Sequence, residues 1–133
     1  MGGFVMEHVA IDVADPLAVA SWWAENLGFE IVRQRKEGDF CTFIADCTGR
    51  IAIELYRAPG IQQAPDYFSI DPLTLHIAFR SEDVDSDIER LVAGGATLVS
   101  HTRSEGFDGA MLRDPWGIPV QVVRRAVPVT KAL

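Results

Sequence analysis

Four polar side chains stand at matching places in the two halves of this sequence: His8 and Glu54 in the first, His76 and Gln121 in the second. His8 heads the run EHVAIDVAD, residues 7–15, and His76 sits in LHIAFRSED, residues 75–83. Glu54 interrupts the apolar run RIAIELYR, residues 50–57, and Gln121 interrupts PVQVVRR, residues 119–125. Imidazole nitrogen, carboxylate oxygen and amide oxygen together suit a borderline divalent cation, with Zn, Ni, Co, Mn and Fe(II) all admitted and no thiolate needed. A lone histidine on a strand is more often structural than a ligand. Two histidines with a Glu and a Gln, at equivalent places of a repeat, shift the weight toward a metal site.

The positions are equivalent because the chain repeats itself. With His8 set on His76, Ala10 falls on Ala78 and Asp15 on Asp83. A helical pattern follows in each copy. In DPLAVASWWAENLG, residues 15–28, Asp15 is the expected N-cap, Pro16 the first helical residue and Gly28 the stop. In SEDVDSDIERLVAGG, residues 81–95, Val84, Ile88, Leu91 and Val92 form the apolar stripe. Three β-like runs come after each helix, at 29–35, 39–46 and 50–57, then at 96–102, 109–114 and 119–125. Each half therefore reads β-α-β-β-β, and the fold class is α+β. Module one runs from about residue 4 to 57 and module two from about 73 to 125. Between them, residues 58–72 hold three prolines and no period, and residues 126–133 are a short apolar tail that could fray or lie on a second subunit.

Strand side chains alternate between faces. Val9, Ile11 and Val13 share a face suited to packing under a helix, whereas His8, Ala10 and Asp12 share the other. Ile51, Ile53 and Leu55 likewise oppose Ala52 and Glu54. Leu75, Ile77 and Phe79 oppose His76 and Ala78, and Val120 and Val122 oppose Gln121. The four polar groups thus belong to second faces, lined by small residues that leave room.

Composition narrows the partners. The formal net charge is −7, spread along the chain, which disfavours nucleic acid and anionic membrane. No apolar run approaches the roughly 18–20 residues of a membrane span, and the first residues lack the build of a signal peptide. Cys41 and Cys47 lie in one strand-like region, roughly 20 Å apart if extended, too far for a disulfide. Two free thiols, read as core filler, fit a reducing cytoplasm.

Other residues call for weighing. Only one of Trp22 and Trp23 is expected to point fully inward. Trp116, in the turn DPWG, would cover a cavity mouth, meet a partner or simply cap the turn. Arg33, Phe43, Tyr56 and Arg113 could line a pocket, and Arg33 or Arg57 could meet a substrate carboxylate or phosphate, although solvated strand-edge charge is the commoner role. His101, after ATLVS and beside the run TRSEGFDGA, reads first as a loop histidine and only secondarily as a proton shuttle.

The runs EHVAIDVAD, NLGFEIV, IAIELYRAPG, LHIAF and RDPWGIPVQVV, in this order and over almost the whole chain, resemble the vicinal oxygen chelate superfamily, which includes glyoxalase I, extradiol dioxygenases and bleomycin resistance proteins. The resemblance implies two tandem βαβββ modules forming a curved, barrel-like sheet around a central cavity. It implies that His8, Glu54, His76 and Gln121 take the four metal-ligand positions, and that the protein is a homodimer. His, Glu, His at the first three positions is similar to the bacterial-type glyoxalase I set. The fourth departs, since Gln121 stands where that family usually has Glu. An amide can ligate but cannot take a proton, which leaves Glu54 as the candidate catalytic base. The expected function is then a divalent-metal-dependent small-molecule enzyme, isomerase or lyase, whose metal polarises vicinal oxygens of the substrate. The alternatives are a metal-free drug-binding protein of the bleomycin-resistance type, an extradiol-type dioxygenase, or a metal-dependent transferase that opens an epoxide.

Overall fold

The computed structural model describes residues 2–60 and 63–131. Ile61 and Gln62 of the expected linker, and Ala132 and Leu133 of the expected tail, lie outside the described residues. The chain divides into two compact units, Met1–Pro65 and Asp66–Leu133.

Module one is built from β1 (His8–Asp12), α1 (Pro16–Leu27), β2 (Glu30–Gln34), β3 (Thr42–Ala45) and β4 (Ala52–Tyr56). Its sheet order is β1-β4-β3-β2, with β1 parallel to β4 and the other pairs antiparallel. Module two repeats this with β5 (Ile77–Arg80), α2 (Val84–Ala93), β6 (Thr97–Ser104), β7 (Phe107–Arg113) and β8 (Pro119–Arg125), in the order β5-β8-β7-β6. Each is an open four-stranded sheet with two edges, not a barrel closed on itself. The α+β class and the doubled βαβββ order are those the sequence predicts.

Local chemistry fixes the helix ends. The Asp15 side chain accepts from the Ala18 N–H, Pro16 opens α1, and Gly28 stops it in the left-handed region at φ 72°. Asp83 caps α2 in the same way through the Ser86 N–H. Beneath α1 the core gathers Ile11, Val13, Ile44, Ile53 and Leu55 against Val19, Ala20 and Trp23. Trp23 is fully buried and Trp22, 9% exposed, lies at the margin of the core. Beneath α2 lie Ala110, Leu112, Val120 and Val122. In the expected stripe, Val84 and Leu91 are buried, Ile88 is half-buried and Val92 is exposed. Val92 lies one helical step of about 100° away from Leu91, beyond the packed arc.

The repeat extends to a defect. In both modules the second strand carries a bulge against the third, between Ile31 and Arg33 and between Leu98 and Ser100. The extra residue reverses which side chains reach which face from that point on.

Several expectations need correction. Cys41 is half-buried and Cys47 is exposed in the turn after β3, so neither fills the core; both are free thiols. His101 is not in a loop. It sits within β6, and the run 102–110 forms the end of β6, a tight turn and the start of β7. Arg113 does not face a pocket. Its guanidinium donates to the carbonyls of Tyr67 at 2.6 Å, Ile70 at 2.8 Å and Gly117 at 3.1 Å, binding the short 3₁₀ turn Tyr67–Ser69 to the turn before β8. No described helix is long and apolar enough to cross a membrane.

Candidate functional site

Three rows of residues cross the open face of module one, the face opposite α1. Strand registry places Glu30, Ala45, Ala52 and His8 in one row, and Arg33, Phe43, Glu54 and Ala10 in the next. Arg35 bonds through its backbone N–H to Cys41, and Cys41, Tyr56 and Asp12 follow in a third row. The alanines of β1, β3 and β4 leave space around the central polar groups.

At the centre, His8 Nε2 stands 3.1 Å from Glu54 Oε2. The other ring nitrogen, Nδ1, is 3.0 Å from the Glu7 carboxylate. Both neighbours of the ring are acceptors, so the short Nε2–Oε2 approach needs a proton or another cation between the two atoms. Glu54 Oε1 accepts a hydrogen bond from the Cys41 thiol at 3.4 Å. Burial first, and then that hydrogen bond and the charge of Glu54, raise the Cys41 thiol above its ordinary value, so the thiol stays protonated and serves as a donor. Phe43 meets the His8 ring edge-on at 5.7 Å. Arg33 lies over the Phe43 ring at 5.8 Å. A cavity of about 290 Å³ opens beside this group, lined by Arg33, Gln34, Arg35, Cys41 and Phe43. Tyr56 shares the face, half-buried, without lining the cavity.

Module two places its pair differently. His76 lies one residue before β5, and its Nδ1 donates to the Pro72 carbonyl at 2.8 Å. A carbonyl only accepts, so the neutral ring carries its hydrogen on Nδ1 and leaves a lone pair on Nε2, the form a metal ligand needs. Gln121 is half-buried on the face opposite α2, registered between Ala78 and the buried Met111. Trp116 is half-buried in the turn before β8, where the Asp114 carboxylate accepts from the N–H groups of Trp116 and Ile118, both at 2.9 Å. Among the described residues, no three His, Cys, Asp or Glu side chains of either module converge as a preformed metal cage.

Cys41 and Glu7 are the two members of the site that sequence reasoning passes over. Glu7 directly precedes His8, and its acidic character is the available signal. Cys41 gives no signal, because its parity with Glu54 depends on strand registry. A larger cavity of about 550 Å³ lies at the β6–β7 turn of module two and is lined by Arg103, Phe107, Asp108, Arg124 and Arg125 among others. Arg103 there is already met by Asp85 and Asp108.

Known proteins share this architecture. Residues 8–123 match the family of the glyoxalase-like domain. Comparison with curated proteins finds no match. Among solved structures, a glyoxalase family protein from Bacillus cereus is 20% identical, with 94% of this chain and 96% of that one covered at a TM-score of 0.77. TnmS3, an antibiotic binding protein from Streptomyces sp. CB03234, is 19% identical, with 95% and 99% covered at a TM-score of 0.72. A glyoxalase/bleomycin resistance protein from the same source is 19% identical, with 88% and 97% covered at a TM-score of 0.63. With a match spanning most of its length and the doubled βαβββ order on the page, the chain belongs to the glyoxalase-like domain family.

Proposed function

We propose that the protein is a divalent-metal-dependent enzyme acting on a small molecule with vicinal oxygens, by isomerase or lyase chemistry. One observation carries the reading: His8 Nε2 and Glu54 Oε2 face each other at 3.1 Å on an open face, with Nδ1 anchored by Glu7. The donor set fits a borderline metal. A histidine ligand characteristically gives its other ring nitrogen to a carboxylate or carbonyl, and both His8 and His76 do so. His8 and Glu54 of module one would hold such a metal, and His76 and Gln121 are the equivalent polar residues of module two. When bound, a metal of this kind supplies Lewis-acid polarisation of the substrate oxygens.

The chain's own residues divide the remaining work. Glu54 takes a proton from the carbon next to a carbonyl and returns it, the amide of Gln121 being unable to share that task. The Cys41 thiol holds Glu54 Oε1 in place and leaves Oε2 directed at His8. Phe43 packs the imidazole edge-on.

A second reading is a metal-free binder of a drug-like molecule, and the likeness to an antibiotic binding protein favours it. Metal content separates the two. Protein purified without chelator is to be assayed by elemental analysis, as wild type and as His8→Ala/His76→Ala. Near-stoichiometric metal, lost in the double variant, is the expected result. A wild type that arrives empty and takes up no Zn, Ni, Mn or Fe(II) would leave the binder reading standing.

A further inference from the structure

The bulge in β2 decides which side chain reaches the open face beside Phe43. Without it, Val32 would oppose Phe43; with it, Arg33 does. Module two keeps the same bulge, but the residue in the corresponding place is Ser100, opposite Met111. The cation is therefore particular to module one, while the backbone device that presents it is common to both. Bulges beside functional sites commonly re-aim a side chain in this way.

The presented guanidinium is positioned but not neutralised. Arg33 is exposed and rests on the Phe43 ring at 5.8 Å. Its neighbour Arg35 is engaged by Asp39 at 3.0 Å. Among the described residues Arg33 has no carboxylate within salt-bridge distance. Stacking on an aromatic face keeps a long side chain in place and leaves its N–H edge available for a planar anion. The cavity of about 290 Å³ counts Arg33, Phe43 and Cys41 among its lining residues.

The row also fixes an order. Arg33, Phe43 and Glu54 lie on adjacent strands, so Phe43 separates the arginine from Glu54, and the two backbones are two strand spacings, about 9–10 Å, apart. We infer that Arg33 selects a substrate that carries a carboxylate or phosphate at the end remote from its vicinal oxygens, with an apolar segment passing beside Phe43. The inference rests on the reading that His8 and Glu54 receive those oxygens, and adds the substrate's charge.

The test uses full-length, zinc-loaded protein and three catechols: 3-(3,4-dihydroxyphenyl)propanoate, its methyl ester, and 4-ethylcatechol. All three offer the same vicinal oxygens, and only the first carries a charge at the far end. Binding is read by calorimetry on wild type, Arg33→Gln and Arg33→Lys. On wild type the acid should bind about tenfold more tightly than the ester, the scale of one charge-assisted hydrogen bond. That preference should vanish in Arg33→Gln and return in part in Arg33→Lys, because lysine keeps the charge without the fork. Arg33 is exposed, and an unchanged melting temperature controls for folding. Equal binding of acid and ester to wild type, or a preference that survives Arg33→Gln, would overturn the assignment of Arg33 alone. If none of the three binds to protein that does hold zinc, the placement of vicinal oxygens at His8 and Glu54 fails, and the Arg33 assignment fails with it.

Discussion

Glu54 works with one carboxylate on two sides. Oε2 faces His8 and Oε1 takes the Cys41 thiol hydrogen. The thiol reports on that carboxylate, because thiolate is the reactive form and Glu54 opposes its formation. Cys41 should therefore react with iodoacetamide at neutral pH several-fold more slowly than the exposed Cys47. In Glu54→Gln the hydrogen bond to a carboxylate and the adjacent charge are both lost, so the Cys41 rate should rise and the gap should narrow. Peptide mass spectrometry of alkylation against time measures both sites in one sample. A Cys41 rate unchanged by Glu54→Gln would mean that burial alone sets its reactivity. At this scale the sequence is legible where residue type carries the chemistry. His8, Glu54, His76 and Gln121 are noticed because their polarity interrupts apolar runs. Cys41 and Arg33 are harder to place, because neither composition nor period reveals a bulge or a registry.

The β6–β7 hairpin shows what one element can hide. As sequence, TRSEGFDGA reads as a loop beside His101, rich in polar and small residues. As structure, it turns tightly at Glu105 and Gly106 and sets His101, Arg103 and Asp108 on one face. His101 Nε2 is 2.7 Å from Asp108 Oδ1, and that hydrogen bond, helped by Arg103 and opposed by burial, holds the Asp108 carboxyl below its ordinary value of 3.8. The sign follows directly. A carboxyl with a depressed folded value adds stability that is fully present above the unfolded value and is lost as pH falls through the folded one. Asp108→Asn should unfold at lower urea than wild type at pH 7, and the difference should shrink as pH drops below about 4. A difference that stays constant from pH 7 to pH 3 would assign the effect to packing. The elements that the sequence locates well are those ended by local chemistry, such as α1 between Asp15 and Gly28. It locates poorly those defined by distant partners. Arg113 resembles a pocket residue until the carbonyls of Tyr67 and Ile70, more than forty positions away, take up its guanidinium.

At the scale of the whole molecule, duplication is the main fact: one βαβββ unit written twice, each copy with its own helix-covered core. Duplicated cores need no charged groups on their second faces for stability, and His8 with Glu54 adds little as an ion pair at a partly exposed position. Such groups do contribute once a cation occupies the space between them, because a ligand that binds only the folded state raises its stability by mass action. At a free metal concentration about one hundred times the dissociation constant, that gain is about 2.7 kcal/mol. For a chain of this size it corresponds to a rise in melting temperature of roughly 10 °C. Calorimetric scans of wild type in excess zinc and in chelator should differ by about this amount. His8→Ala and Glu54→Ala should melt close to chelated wild type in either solution. Surface carboxylates are plentiful on a chain of net charge −7 and could gather zinc without any site. In that case wild type and both variants would shift together, and His8 and Glu54 would be excluded as ligands.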